Sequence, residues 1–268
     1  MSGLRTALVG SLSLLLGACC CGGEKPATAD SGSSSAAAKT AKVQMADPAR
    51  IKSVKKVALV SISADCDYKD DTGQAGTVLG GISALSGKND DMRTGKMLDG
   101  GAPAFAAAVS SAGVWTIVPL QEMTANPAYA ANTFSADLHE QVKETRKALG
   151  CAGGGYRVLT RDYTDRAGTL AAALGVDAVA LTQLSVTLEY AERGVHARGR
   201  LNTISTITLV GPDGMTLMVD HPWAQSTDTI PMTVGKLDWA QVPPMGPSLM
   251  RELGRKFAAD VRAAQTKP

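Results

Sequence analysis

Apolar positions along this chain change their spacing several times, and each change marks an element. Lys56 to Ile62 is almost continuously apolar, the pattern of a strand covered on both faces. From Ser63 to Asp91 that pattern gives way to a long segment rich in Gly and Asp. Met92 to Ala112 predicts a helix carrying Met97, Leu98, Phe105 and Val109. Gly95, Gly100, Gly101 and Pro103 weaken its first half, so only Pro103–Ala112 is firm. Gly113 suits the left-handed residue that ends a helix. Val114 to Pro119 predicts a second strand, and Asn126-Pro127 marks a turn.

Ser135 to Leu149 predicts a helix capped by Ser135, with Leu138, Val142 and Leu149 on one side and Gly150 at its end. A loose Gly153-Gly154-Gly155 run precedes a short strand at Tyr156–Thr160. Asp165 is expected to cap the next helix, whose stripe is Ala167, Leu170, Ala171 and Leu174 and whose end is Gly175. Val176–Tyr190 and Val195–Val210 predict two long strands. Pro212-Asp213-Gly214 turns the chain into a third, Met215–His221. Residues 224–245 show no period. Pro247 to Ala264 predicts a closing helix with Leu249, Met250, Leu253, Phe257 and Val261 on its core face. The order predicts an α/β fold: a single mixed β-sheet flanked by helices, with an antiparallel C-terminal strand group and a closing helix.

The first residues are patterned differently. Arg5 precedes a short apolar run, Ala7–Leu16, and the small residues Gly17 and Ala18 follow. This is the layout of an export signal, and the run is far short of the ~20 residues of a spanning helix. Leu16-Gly17-Ala18-Cys19 resembles a bacterial lipobox, which implies cleavage after residue 18 and lipidation of Cys19. Two or more acyl chains anchor a protein stably. Cys20 rather than Asp follows, which for such proteins implies the outer membrane, with the body facing the periplasm or the cell surface. Gly22–Arg50, rich in Gly, Ser and Ala, offers no apolar period and is expected to be a tether. The expected organisation is therefore a signal over 1–18, a lipidated cysteine and linker over 19–50, and one domain over 51–268.

Composition narrows the function classes. The 268 residues carry a net charge of +2, which argues against a dedicated nucleic-acid binder with a concentrated basic face. Of five cysteines, three are consecutive, Cys19 to Cys21, without partners at metal-site spacing. Cys66 and Cys151 remain. In an exported chain a bond between them is expected, the alternative being two separately buried thiols.

Candidate chemistry is thin. Asp65, Asp67, Asp70 and Asp71 cluster, but Lys69, Asp70 and Gly76 stand where a calcium loop needs other residues, so a solvated acidic loop is expected. Gly87-Lys88 lacks both the earlier Gly and the Ser or Thr of a phosphate loop, since Ile82 and Asn89 occupy those positions. Asp220-His221 offers half of an acid–base pair, with His196 near it across the hairpin and His139 elsewhere. No serine stands in a nucleophile-elbow pattern. No catalytic residue, metal or cofactor is expected. Among the prolines of 225–247, Ile230, Met232, Leu237, Trp239, Val242 and Met245 form a patch for a protein partner if exposed, or a flap over the sheet if not.

Lys55–Val60, the Leu174-Gly175-Val176-Asp177-Ala178 junction, the long hairpin after it and the Asp213-Gly214 turn together resemble a known family. They are similar to the amino-terminal domain of the Tol-system propeller protein, to curli-secretion lipoproteins and to lipoprotein activators of penicillin-binding proteins. The resemblance spans residues 55–265, with departures at 63–91 and 225–247. It implies an envelope assembly or accessory role, exercised through another envelope protein and without catalysis. A periplasmic small-ligand or polymer-binding module is the alternative.

Overall fold

The continuous apolar run is β2, Lys56–Ala64, and every residue after Lys56 is buried. It lies inside the sheet, parallel to β6 (Ala178–Glu192) on one side and to β4 (Thr116–Ile117) on the other. The computed structural model describes residues 44–45, 48–70, 94–135, 150–194, 196–232 and 238–266. The expected signal, Cys19 and tether to residue 43 lie outside the described residues. So do 71–93 of the long loop, 136–149 of the expected helix, and Leu237. All described residues fall in one compact unit, 40–268.

One mixed sheet runs β1-β8-β7-β6-β2-β4, where β1 is Gln44–Met45, β7 Arg198–Val210 and β8 Thr216–Asp220. β6, β7 and β8 pair antiparallel, as the short turns between them require, and β1 adds antiparallel to β8. Short strands add to these: β3 (Lys69–Asp70) on β6, β5 (Cys151–Ala152) on β2, and β9 (Trp223–Gln225) and β10 (Ile230–Pro231) on β7. The fold is α/β with an antiparallel C-terminal strand group and a closing helix, as the periodicity predicts.

Helices cover the sheet. They are α1 (Pro48–Ser53), α2 (Thr94–Ser111), α3 (Leu120–Ala125), α4 (Pro127–Asn132), α5 (Thr164–Leu174) and α6 (Gly246–Thr266). The crossover through α2 and the return through α5 run in opposite directions along the sheet, so right-handedness places these helices on opposite faces. Among the described residues no helix is long and apolar enough to cross a membrane.

The closing helix α6 packs on α2, with Phe105 and Phe257 stacked at 6.2 Å and Trp115 tilted on Phe257 at 5.8 Å. The Gly100-Gly101-Pro103 half of α2 is fully helical. A Cβ on Gly101 would meet Met250 Cγ at 2.8 Å, and one on Gly254 would meet Phe105 O at 2.9 Å. The glycines that weaken the helix alone let the two helices close on each other, and tertiary packing outweighs propensity. Nor is Gly153–Gly155 loose: Gly154, at φ 61°, lies flat on α2 and donates its N–H to Asp99 Oδ1 at 3.0 Å.

The junction at Gly175 is built as its residues suggest. Gly175 ends α5 in the left-handed region, at φ 61°. Two residues on, Asp177 Oδ2 accepts the N–H groups of Lys55 and Lys56 at 2.8 and 2.9 Å, fixing where β2 enters beside β6. Those two bonds hold its carboxyl below the usual carboxylate range.

Other expectations fail locally. The second strand shrinks to two residues because Trp115 turns into the core and Pro119 leads into α3. Asn126-Pro127 is a helix start rather than a free turn, with Asn126 Oδ1 accepting from Ala128 N and Pro in the first turn of α4. Tyr156–Thr160 makes only single bridges, since Arg157 N donates to Tyr129 OH and Leu159 N to Ser61 Oγ. Asp165 lies within the first turn of α5 and does not cap it. Pro48–Ser53 is a helix across the expected tether–domain boundary at residue 50, so order begins a few residues before the expected domain, and Ile51 is completely buried.

Candidate interaction surface

The β6–β7 hairpin is the longest feature of the sheet, and its outer half alternates buried and partly exposed residues. Register sets Thr187 opposite Asn202, Ser185 opposite Ile204 and Glu189 opposite Arg200. On the next strand Trp223 lies opposite Ile204, and Gln225 opposite Asn202. Residues opposite each other share a face, so these side chains form one continuous outward surface.

That surface is organised by hydrogen bonds. Glu189 accepts from Arg200 Nε at 2.9 Å, Gln225 Nε2 at 2.8 Å and Asn202 Nδ2 at 3.4 Å. Lys69, from β3, donates to Ser185 Oγ at 2.6 Å. Within this polar frame Ile204 is 62% exposed, and half-buried Trp223 lies beside it. The Lys256 ammonium, from α6, lies 4.7 Å from the Trp223 ring centroid and donates to Trp223 O at 2.9 Å. A rigid face with an apolar centre and fixed donors around it suits another folded surface.

The residues singled out from sequence are distributed differently. Cys66 and Cys151 are bonded, with Cα atoms 4.9 Å apart, joining the loop after β2 to β5. The expected partner patch around Ile230 and Trp239 is not an exposed surface. Ile230, Met232, Val242 and Met245 are buried, and Trp239 is half-buried and stacked on Tyr68 at 6.0 Å. β10 and the 3₁₀ turns at Trp239–Gln241 and Pro243–Met245 give the segment local order that its prolines hide from a periodicity reading.

Asp65 pairs with Lys69 at 3.7 Å, and among the described residues no group of three His, Cys, Asp or Glu is placed to hold a metal. His196 and His221 are not neighbours. His221 meets Thr206, eight residues along β7 from Arg198 and thus about 26 Å from the hairpin end where His196 lies. His139 lies outside the described residues.

The structure also brings together two carboxyls that the sequence reading missed. Asp220, at the end of β8, is completely buried, and its side chain lies against that of Asp260 on α6. Burial, and then the Asp260 charge, push Asp220 up to about 7. Burial also raises Asp260, against opposing pulls from the Asp220 hydrogen bond and the Lys256 charge. The period-2 pattern of 215–221 does place Asp220 on the inward face with Met218, which is the available signal.

No family model matches the chain, and no curated protein matches it. Among solved structures, the PelC dodecamer from Paraburkholderia phytofirmans is 14% identical, with 81% of this chain and 96% of that chain covered and a TM-score of 0.25. A variant of the same dodecamer gives 14% identity, 82% and 99% coverage and a TM-score of 0.23. At these scores the likeness bears on neither fold nor function.

Proposed function

We propose that the chain is a lipid-anchored protein of the bacterial cell envelope, held by Cys19, that acts without catalysis as an assembly or accessory factor by contacting another envelope protein. The observation that carries the contact role is the outward face of β6, β7 and β9. There an Ile204 side chain that is 62% exposed, together with Trp223, interrupts a frame of fixed polar groups. Apolar and aromatic side chains at the centre of a polar rim are the usual make-up of a protein contact. The export signal and lipobox resemblance support the location, and the Cys66–Cys151 bond is of the kind that persists in exported proteins.

The test is an affinity capture from native envelope using the lipidated full chain, a Cys19→Ser form and an Ile204→Asp form. The same envelope protein should come down with the lipidated chain and fall at least about tenfold with Ile204→Asp, the loss of one good anchor contact. An unchanged capture by a folded Ile204→Asp form would remove this face from the contact. Equal membrane association of the Cys19→Ser form would remove the anchor.

A further inference from the structure

We propose that Asp220 and Asp260 share one proton in a latch that decides whether Lys256 covers Trp223. The inference rests on the packing of α6 against β8 and β9 and holds whether or not the outward face is a contact surface.

The starting observation is an orphaned acceptor. Asp220 is completely buried; its Oδ1 accepts the His221 N–H at 2.8 Å, but its Oδ2 has no donor among the described residues. The side chain facing it is another carboxyl, Asp260, and two ionised carboxylates have nothing to donate to each other. A proton held between them satisfies Oδ2 and leaves the pair with a single negative charge. Like charges this close in a buried setting do not both ionise readily.

Lys256 is the device's moving part. It precedes Asp260 by four residues on α6, so the two lie on the same side of the helix, one turn apart. With the proton in place, its ammonium is committed to Trp223, through the carbonyl oxygen and the ring face. When the proton leaves, the pair carries two charges and Oδ2 loses its donor. Among the described residues the cation on that side of α6 is Lys256, whose charge already acts on Asp260, and one buried and one half-exposed charge together outweigh a cation–π contact at a partly exposed ring. Lys256 then turns from Trp223 to the carboxyls, and the indole beside Ile204 is uncovered.

Among the described residues, the other charges on the elements packed around the pair are engaged elsewhere or exposed. On α1, which packs on both β8 and α6, Arg50 bonds Asp213 at 2.8 Å and Lys52 is exposed. On α6, Glu252 pairs with Arg255 at 3.8 Å and Arg262 donates to Ala112 O. The residue of β7 opposite Asp220 is Ile207, and the backbone of β1 pairs with Val219 and Met218 of β8. His221 gives Asp220 its backbone N–H while its ring meets Thr206 on the outward face.

The sign follows from the raised carboxyl. Asp220 stands above its ordinary 3.8, so the closed latch is fully formed in acid and opens as the pH rises through about 7.

The experiment is fluorine NMR on the full chain labelled with 5-fluorotryptophan, whose three tryptophans are assigned with a Trp223→Phe variant. Between pH 5 and 9 the Trp223 resonance should move with a midpoint near neutrality while Trp115 and Trp239 stay put. Asp220→Asn should hold Trp223 at its low-pH position throughout, and Lys256→Met should hold it near its high-pH position. If Asp220→Asn does not fold, Asp260→Asn on the half-exposed side makes the same test. A flat Trp223 resonance, a titration that survives both Asn variants, or one abolished by His221→Gln would each overturn the latch.

Discussion

At the scale of single residues, two aspartates show how position reverses the behaviour of one functional group. Asp220 is pushed up by burial and a neighbouring carboxyl, whereas Asp177 is pulled down by two backbone N–H donors near the surface. For Asp177 the folded state holds the charged form more tightly than the unfolded chain does. Its contribution to stability is therefore present above the ordinary 3.8 and lost as the pH falls through the lower, folded value. Asp177→Ala should cost about 1–2 kcal/mol at pH 7, the range of charge-assisted bonds reduced for exposure to water. In urea unfolding that difference should shrink below pH 4, and a cost that is constant with pH would mean the bonds matter little. The junction holding Asp177 stood out in the sequence, but its partners lie more than a hundred residues away. Nothing in the local pattern names Lys55 and Lys56. Asp260 was invisible for another reason: it falls between the core positions Phe257 and Val261, where a polar residue draws no notice.

At the scale of elements, α2 and α6 show where local propensity misleads. Glycine to alanine inside a helix favours the helix by about 1 kcal/mol in isolation. At Gly101 the new methyl would sit 2.8 Å from Met250 Cγ, close to the Met250 backbone, so the neighbour cannot simply swing away. Gly101→Ala should therefore destabilise the protein by about 1–3 kcal/mol, the cost of overpacking. Thermal unfolding of a stabilised variant instead would show that propensity governs this half of α2. The sequence displayed the long strands, α5 and the core face of α6 clearly, because their burial follows one period over ten residues or more. It concealed α3, α4, β9 and β10, which are two to six residues long and too short for any period to register.

At the scale of the whole molecule, the fold class was legible because helices separate the early strands and tight turns separate the late ones. That alternation leaves parallel pairing around β2 and antiparallel pairing beyond β6 as the simple solution. The candidate surface was less legible. Ile204 and Trp223 are nineteen residues apart on different strands, and only the register of β7 with β9 makes them neighbours. The prolines between 225 and 247 drew attention to Trp239, which the fold uses as packing against Tyr68.

The Cys66–Cys151 bond also governs how the molecule bears load. Traction entering from the N-terminal side peels the two-residue β1 from the sheet edge and then α1, before it reaches β2 in the middle of the sheet. There the parallel β6 must be sheared along its length rather than unzipped, the more resistant geometry. Once β2 gives way, the bond still withholds from the extending chain the stretch between the cysteines, which are 85 positions apart. Single-molecule stretching should find the oxidised protein about 300 Å shorter at full extension than the reduced one. Equal lengths would mean the cysteines are not joined. Under the Cys19 anchoring proposed above, the bond is a built-in stop, and about a third of the chain stays slack behind it.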